Sequence, residues 1–164
     1  MSVMIDPERL LERPDIVSTT ETVRIDPDAA PEYRTFDSHA AVGITNERGE
    51  VLLADDGAHG PGLPARAVSR NDRWIDAATA IVEGICAELE YELAVRKVRR
   101  TRFAIEQRDE QISMYNVIFD VESEETAKVT PTGAAHEQYD SVEWASSVPV
   151  EQSGAMAEDI RLFV

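Results

Sequence analysis

The stretch Leu63–Glu90, LPARAVSRNDRWIDAATAIVEGICAELE, joins an irregular loop to a strongly periodic apolar pattern. The apolar residues recur at helical spacing, which predicts a helix with one apolar face from Trp74 to Glu88. Asp72 lies just ahead of this helix, where its carboxylate is predicted to cap the first turn. The periodic positions are Trp74, Ala78, Ile81, Val82, Ile85 and Leu89.

The segments on either side alternate between strand and helix patterns. Two apolar runs around the turn at Asn46–Gly49 predict a β-hairpin within residues 39–56. The segments 26–38 and 57–72 are rich in proline and glycine and are predicted to be loops. The other predicted elements are a helix at 6–13, a strand at 16–25, strands at 93–107 and 111–123, a strand at 138–146 and a helix at 155–164.

Helices interspersed with hairpins predict a mixed sheet flanked by helices, of the α/β or α+β class. The 164 residues are enough for one domain with its own core. We therefore expect a single domain over residues 1–164, with an N-terminal extension at 1–36, a core at 37–149 and a C-terminal helix at 150–164.

Acidic residues outnumber basic residues 32 to 16, and the formal net charge is -16. Self-repulsion among so many carboxylates is tolerable when concentrated salt screens it, so the composition indicates a protein of a salt-loving organism. The same charge argues against binding to nucleic acid or to an anionic membrane surface. The first residues, MSVMIDPERLLERPD, lack a signal-peptide pattern, and no apolar run reaches the ~18 residues of a membrane span, which predicts a cytoplasmic location.

Cysteine and histidine are too sparse for a structural metal site. Cys86 is the single cysteine, so it cannot form a disulfide within the chain. The three histidines are scattered and do not occur at zinc-ligand spacing. We therefore expect no structural zinc.

Between Asp37 and Pro149 the chain has, in order, the motif AAVGITNERGEVLL, a loop with LP, the helix, two strands and the motif VEWASSVP. In this order of features the chain resembles the Nudix hydrolase family. This resemblance implies a mixed β-sheet sandwiched between helices. It also implies descent from enzymes that use Mg²⁺ to hydrolyse nucleoside diphosphates linked to another group, such as ADP-ribose, and it leaves a homodimer possible.

The glutamates of the family's catalytic loop and helix are missing from this chain. The loop glutamate falls on Asp72, and the helix positions of three glutamates fall on Ile81, Gly84 and Ile85. Isoleucine has no oxygen ligand for Mg²⁺, so the resemblance implies a site converted from metal binding to packing. The remaining positions of the motif fall on Arg66, Ala80, Val82, Ala87 and Glu88, of which only Val82 matches.

Several residues remain as candidates for a relocated site. Displaced metal ligands or catalytic acids could be Asp72, Asp76, Glu83 and Glu88, and the resemblance adds Glu137 as a catalytic candidate beside His136. The alternative for these carboxylates is an ordinary solvated surface. The candidate substrate-binding residues are four arginines: Arg34, Arg66, Arg100 and Arg102. Arg34 lies beside Tyr33 and Phe36, where related enzymes stack a base. Arg100 and Arg102 belong to the basic segment VRKVRRTRF.

Three functional hypotheses follow. The first is a Nudix-fold protein related to nucleoside diphosphate pyrophosphohydrolases, with weak or no Mg²⁺-dependent hydrolysis. The second is an active Nudix hydrolase with relocated ligands, for which Mg²⁺ would be the cofactor. The third is a non-catalytic module without a cofactor, which binds a nucleotide-derived small molecule or a protein.

The charge balance predicts that the fold is stabilised by salt. When salt falls from 1 M to 0.1 M, the Debye length grows from ~3 Å to ~10 Å, so the 32 acidic groups repel one another more strongly. We expect the melting temperature to fall steadily over this range in a calorimetric or fluorescence melt. A melting temperature that stays level would contradict the interpretation of the acidic composition.

Overall fold

The computed structural model describes residues 5–69, 71–86, 89–123 and 141–164. Among these residues, helices and strands are interspersed, with a 3-10 turn at Pro27–Ala29. In chain order they are α1 (Pro7–Leu10), β1 (Val17–Ile25), α2 (Ala30–Tyr33), β2 (Ser38–Ile44), β3 (Val51–Asp55), β4 (Pro61–Gly62), β5 (Ala65–Val68), α3 (Trp74–Ile85), β6 (Glu92–Ile105), β7 (Gln111–Glu122), β8 (Ser141–Ala145) and α4 (Gly154–Arg161).

The strands form two sheets. The main sheet has the order β1-β6-β7-β2-β5, and the small sheet has the order β4-β3-β8. In the main sheet β6 runs parallel to β1 and antiparallel to β7, whereas β2 runs parallel to β7 and antiparallel to β5. The predicted fold class, a mixed sheet with flanking helices, is confirmed.

The predicted hairpin at residues 39–56 is only partly correct. Its turn forms as expected, because Asn46 Oδ1 accepts hydrogen bonds from the backbone N–H groups of Arg48 and Glu50, and Gly49 adopts a positive φ of 75°. However, β2 and β3 belong to different sheets, and a single bridge from Thr45 to Val51 joins them. Since β7 and β5 already occupy both edges of β2, β3 has no edge of β2 to pair with along its length.

Both predicted loops contain short regular elements. Residues 26–38 include the 3-10 turn and α2. Asp26 caps the start of this turn, because its side chain accepts a hydrogen bond from the backbone N–H of Asp28. Residues 57–72 include β4, which pairs with β3, and β5, which pairs with β2. Pairing with distant strands, rather than local propensity, makes β4 and β5 extended.

The helix α3 ends at Ile85, earlier than predicted, because Cys86 has an extended backbone.

The main core lies between α3 and the main sheet. From α3 the buried side chains Ile81, Val82 and Ile85 contribute to it. From the sheet, Val42 of β2 and Phe119 of β7 are fully buried in the same cluster. Burial of each such side chain stabilises the fold by about 1.5–3 kcal/mol, so this layer holds α3 in place.

The helix α4 covers the opposite face of the main sheet. Its Ile160 packs in a smaller core with Val51 and Leu53 of β3. The Phe163 ring that follows α4 fills the space where a Cβ on Gly43 would lie, only 2.2–2.5 Å from three of its ring carbons. Glycine at this position of β2 therefore lets the C-terminal segment approach the sheet.

A buried ion-pair cluster fixes α4 to β6. Lys97 is 3% exposed, and its Nζ lies 3.1 Å from Asp159 Oδ1. Arg99 donates two hydrogen bonds to the same carboxylate, one of them a 3.0 Å bond from Nη1 to Oδ2. One aspartate thus pairs with two cations in a region of low solvent access.

In the part of the chain that the structure describes, no helix is both long and apolar enough to cross a membrane.

Replacing Asp159 with Ala is expected to destabilise the fold by about 2 kcal/mol or more, because it leaves the buried Lys97 ammonium without its closest partner. The neighbouring Glu158 lies 3.9 Å from the same ammonium but is 60% exposed, so Glu158→Ala should change stability by less than about 1 kcal/mol. Urea unfolding of the two variants measures the difference. Equal losses would contradict the importance of the buried pair.

Candidate functional site

The helix face that the family resemblance assigns to metal binding is part of the main core. Ile81 and Ile85 are 6% and 2% exposed and contact the buried layer of the main sheet. Alkyl side chains in this position offer no ligand to a cation. The residues present on this face therefore do not fit Mg²⁺.

The carboxylates near α3 lie elsewhere. Asp76 and Glu83 are exposed, and Asp72 precedes the helix in an exposed position. Among the residues that the structure describes, no three Asp, Glu, His or Cys side chains come close enough to hold a metal ion together. The candidates Glu88 and Glu137 lie outside the described residues.

Asp72 does not cap α3 as predicted. The N-cap residue is Arg73, and no side chain accepts a hydrogen bond from the first turn there. Instead, Asp72 Oδ2 accepts hydrogen bonds from the backbone N–H and the hydroxyl of Ser69, at 3.0 and 2.9 Å. These bonds hold the pKa of Asp72 below its usual range, and the nearby Arg66 adds to the effect. Asp72 therefore orders the loop before α3.

A small cavity of about 260 Å³, which we call cavity 2, opens beside the first turns of α3. Asp72 and Asp76 both line it, together with Arg66 and Arg73. The structure thus brings two of the candidate metal ligands to one cavity, but Glu83 does not line it. The two arginines balance the two carboxylates, so this cavity lacks the excess negative charge that a divalent cation requires.

A larger cavity of about 590 Å³, which we call cavity 1, lies on the α4 side of the main sheet. This volume falls in the usual range for small-molecule sites. The sheet contributes alternate side chains of three adjacent strands, α4 contributes a wall, and β4, β5 and the loop before them close the other side. The polar residues that line the cavity are His39, Asp56, His59, Arg66, Arg99, Asn116 and Asp159.

Four of the polar side chains that line cavity 1 pair with one another. Arg99 is fixed by its two bonds to Asp159. On the loop, His59 Nδ1 lies 2.9 Å from Asp56 Oδ2, and this bond is the main reason that the pKa of Asp56 lies well below its usual range. The Gln152 amide donates hydrogen bonds to the carbonyl groups of His59 and Pro61, which ties the loop to the segment before α4.

The four candidate substrate-binding arginines lie in different places. Arg66 is exposed on β5 and lines both cavity 1 and cavity 2. Arg34 lines a third cavity, which we call cavity 3, and pairs with Glu110 at 2.9 Å. Arg100 is paired with Glu8 at 2.7 Å, and Arg102 on β6 has no carboxylate within 4 Å among the residues described. Of these four, Arg66 alone lines cavity 1.

The sequence interpretation did not select Arg99, His59 or Asn116 as site residues. For Arg99 a signal existed, because strand alternation places Lys97 and Arg99 on one face of β6 and Arg100 and Arg102 on the other. The positions of His59 and Asn116 had no such signal. His59 lies 40 residues before Arg99 and 57 residues before Asn116, so these residues come together only in the folded chain.

Neither a scan with protein-family models nor a search of curated proteins produced a match. Similar solved structures were found. The E. coli dihydroneopterin triphosphate pyrophosphohydrolase shares 13% identity and superposes with a TM-score of 0.53 over 77% of this chain and 94% of its own. A C. elegans Ap4A hydrolase has 13% identity and a TM-score of 0.48, with 78% and 95% covered. A MutT NUDIX hydrolase from Burkholderia pseudomallei has 12% identity and a TM-score of 0.47, with 78% and 98% covered.

The chain has a Nudix-like fold. At this level of identity the likeness concerns the arrangement of strands and helices. Within the Nudix-like fold of this chain, α3 is the helix that the sequence resemblance assigned to metal binding, and its inward face is occupied by isoleucines.

Glutamate at both Ile81 and Ile85 is expected to destabilise the fold by more than about 3 kcal/mol, because two carboxylates would enter an apolar layer without partners. The exposed substitution Glu83→Gln on the same helix should stay within about 0.5 kcal/mol of the original chain. Denaturant unfolding measures both. A triple variant with Ile81→Glu, Gly84→Glu and Ile85→Glu that folds normally and is stabilised by Mg²⁺ would contradict this expectation.

Proposed function

We propose that this chain is a Nudix-fold protein related to pyrophosphohydrolases, that it binds a phosphate-bearing, nucleotide-derived small molecule, and that its Mg²⁺-dependent hydrolysis is weak or absent. The observation that carries the proposal is the position of Arg66. This residue lines both the larger cavity on the sheet and the smaller cavity beside α3.

The volume and the mixed polar and apolar lining of cavity 1 support binding of a small organic molecule. Its walls combine apolar side chains such as Ile118 and Met156 with the polar groups of His39 and Asn116. Such a mixture suits the organic part of a ligand, whereas arginine suits phosphate because its guanidinium binds two oxygens at once. Arg99 is committed to Asp159, whereas Arg66 is exposed.

The same arrangement argues against efficient hydrolysis by the family's usual chemistry. Mg²⁺ in enzymes of this kind neutralises a diphosphate and activates water, and it requires several oxygen ligands. Ile81 and Ile85 supply none on the helix face. Asp72 and Asp76 are the two carboxylates near Arg66, and both share cavity 2 with arginines.

Arg66→Ala is expected to weaken the binding of a nucleoside diphosphate derivative at least tenfold, since a charge-assisted hydrogen bond contributes about 1.5–3 kcal/mol. Calorimetric titration with ADP-ribose in high salt measures the affinity. Arg48→Ala is the matched control, because Arg48 is an exposed arginine in the β2–β3 turn and lines none of the three cavities.

The outcomes of this titration separate the hypotheses. Unchanged affinity in Arg66→Ala would overturn the binding proposal. Hydrolysis of ADP-ribose to AMP and ribose 5-phosphate that requires Mg²⁺ and is lost in Asp72→Ala and Asp76→Ala would instead favour an active hydrolase with relocated ligands. If ADP-ribose binds and Mg²⁺ produces no turnover, the proposal of a binding protein with reduced chemistry holds.

A further inference from the structure

The loop between β3 and β4 carries a histidine that is paired with an aspartate, and both residues line cavity 1. Asp56 Oδ1 accepts hydrogen bonds from the backbone N–H groups of Ala58 and His59, each at 2.9 Å. The other oxygen, Asp56 Oδ2, lies 2.9 Å from His59 Nδ1. One oxygen of the carboxylate thus fixes the turn, while the other orients the imidazole ring.

Contacts with other segments hold this loop in position. The Gln152 amide donates hydrogen bonds to the carbonyl groups of His59 and Pro61, at 3.0 and 2.8 Å. Gly60 has a positive φ of 77°, and a Cβ there would lie only 2.7 Å from the Gln152 amide nitrogen. Glycine therefore permits both the turn and the close approach of Gln152. Because the loop is held at both ends, the imidazole is positioned before any ligand binds.

The pairing with Asp56 determines which ring nitrogen of His59 can react. The hydrogen bond from His59 is the largest cause that lowers the pKa of Asp56, so this carboxylate is ionised at neutral pH. An ionised carboxylate only accepts hydrogen bonds, so Nδ1 must carry the proton of the neutral imidazole and Nε2 the lone pair. The His59 side chain is 75% exposed, and no protein group among the described residues hydrogen-bonds to Nε2.

The other groups that line cavity 1 leave His59 as its best-placed nucleophile. Among the described residues that line it there is no serine, threonine, cysteine or lysine. Asp159 is engaged by Lys97 and Arg99, and Arg66 and Arg99 are cations. His39 lies on β2 opposite Asn116 of β7, and no carboxylate among the described residues pairs with its ring. Only His59 combines an accessible imidazole with a carboxylate that fixes its tautomer.

We propose that His59 is a nucleophile for metal-independent transfer of a phosphoryl group, with Asp56 as its positioning residue. The substrate class is a phosphoanhydride or an acyl phosphate, because its leaving group departs as a stable anion and needs no proton donor. The inference rests on the proposed function in so far as cavity 1 takes a phosphate-bearing small molecule. It adds a reaction in which Mg²⁺ takes no part.

The reaction has two steps. In the first, the lone pair of Nε2 attacks phosphorus, the Nε2–P bond forms, and the P–O bond to the leaving group breaks with its electrons on oxygen. The positive charge that develops on the ring is offset by the Asp56 carboxylate. In the second step, water attacks phosphorus and the electrons of the Nε2–P bond return to nitrogen. The protons of the water remain with the released phosphate or pass to solvent.

The covalent adduct can be observed directly. The probe is acetyl phosphate, a small acyl phosphate, incubated with the full chain in EDTA and quenched in alkali, in which a phosphorus–nitrogen bond survives. Intact-protein mass spectrometry should show the addition of one phosphoryl group. The chain has three histidines, and peptide mapping should assign the group to His59 before His39 or His136 reacts. His59→Gln should abolish the adduct, with folding checked by thermal melting.

Asp56→Asn tests the positioning role. The amide oxygen can still accept the two backbone hydrogen bonds, but the amide N–H₂ donates to Nδ1 and so transfers the ring proton to Nε2. We expect the adduct to form at least about a hundredfold more slowly, and ¹⁵N NMR of the ring nitrogens to show the other tautomer. Asp55→Asn is the matched control, because Asp55 caps the backbone N–H of Gly57 in the same loop and does not line cavity 1. It should change neither the rate nor the tautomer.

The outcomes separate this inference from the proposed function. Absence of an adduct on the folded chain, or an adduct that persists in His59→Gln, would overturn the role of His59. An adduct on His59 with an ADP-ribose affinity that is unchanged in Arg66→Ala would leave this reaction standing and the proposed function wrong. ADP-ribose binding that depends on Arg66, without any adduct from acetyl phosphate, would have the opposite meaning.

Discussion

Packing of the apolar face of α3 against the main sheet is the contact on which the other features depend. Ile81, Val82 and Ile85 enter the same core as Val42 and Phe119. This contact fixes the helix and so determines where its first residues lie. It also buries in the core the helix positions that the family resemblance assigns to oxygen ligands. Stability of the fold and the lack of oxygen ligands on this helix face are therefore two consequences of the same side chains.

The basic residues of β6 are divided between the two faces of the main sheet. Lys97 and Arg99 face α4, where Asp159 pairs with both. Arg100 faces the other way and pairs with Glu8. Because these cations satisfy internal carboxylates, they serve mainly to hold the N-terminal and C-terminal helices on the sheet. This use of arginine differs from phosphate binding, for which a guanidinium must remain accessible.

The cavities follow from the same layered arrangement. Helices cover both faces of the main sheet. Because these helices are short, space remains beside their ends on each face. Cavity 1 forms beside α4, and cavity 3 forms where α3 begins. Arg66 on the edge strand β5 lies beside cavity 2, and Asp72 lies between cavity 2 and cavity 3. A local change at this edge can consequently affect more than one cavity.

The sequence by itself determined the elements whose patterns are local. The periodicity around Ile81 and Ile85 predicted α3, and alternation predicted β6 and β7, because apolar spacing reflects the face that each element buries. The isoleucines at the positions that the family resemblance assigns to metal-binding glutamates were likewise legible in the sequence. Which sheet each strand joins, and which side chains meet in a cavity, was decided by tertiary structure. The separation of β2 from β3 and the meeting of His59 with Asn116 depend on pairing between segments far apart in the chain, and no local pattern encodes the outcome of that competition.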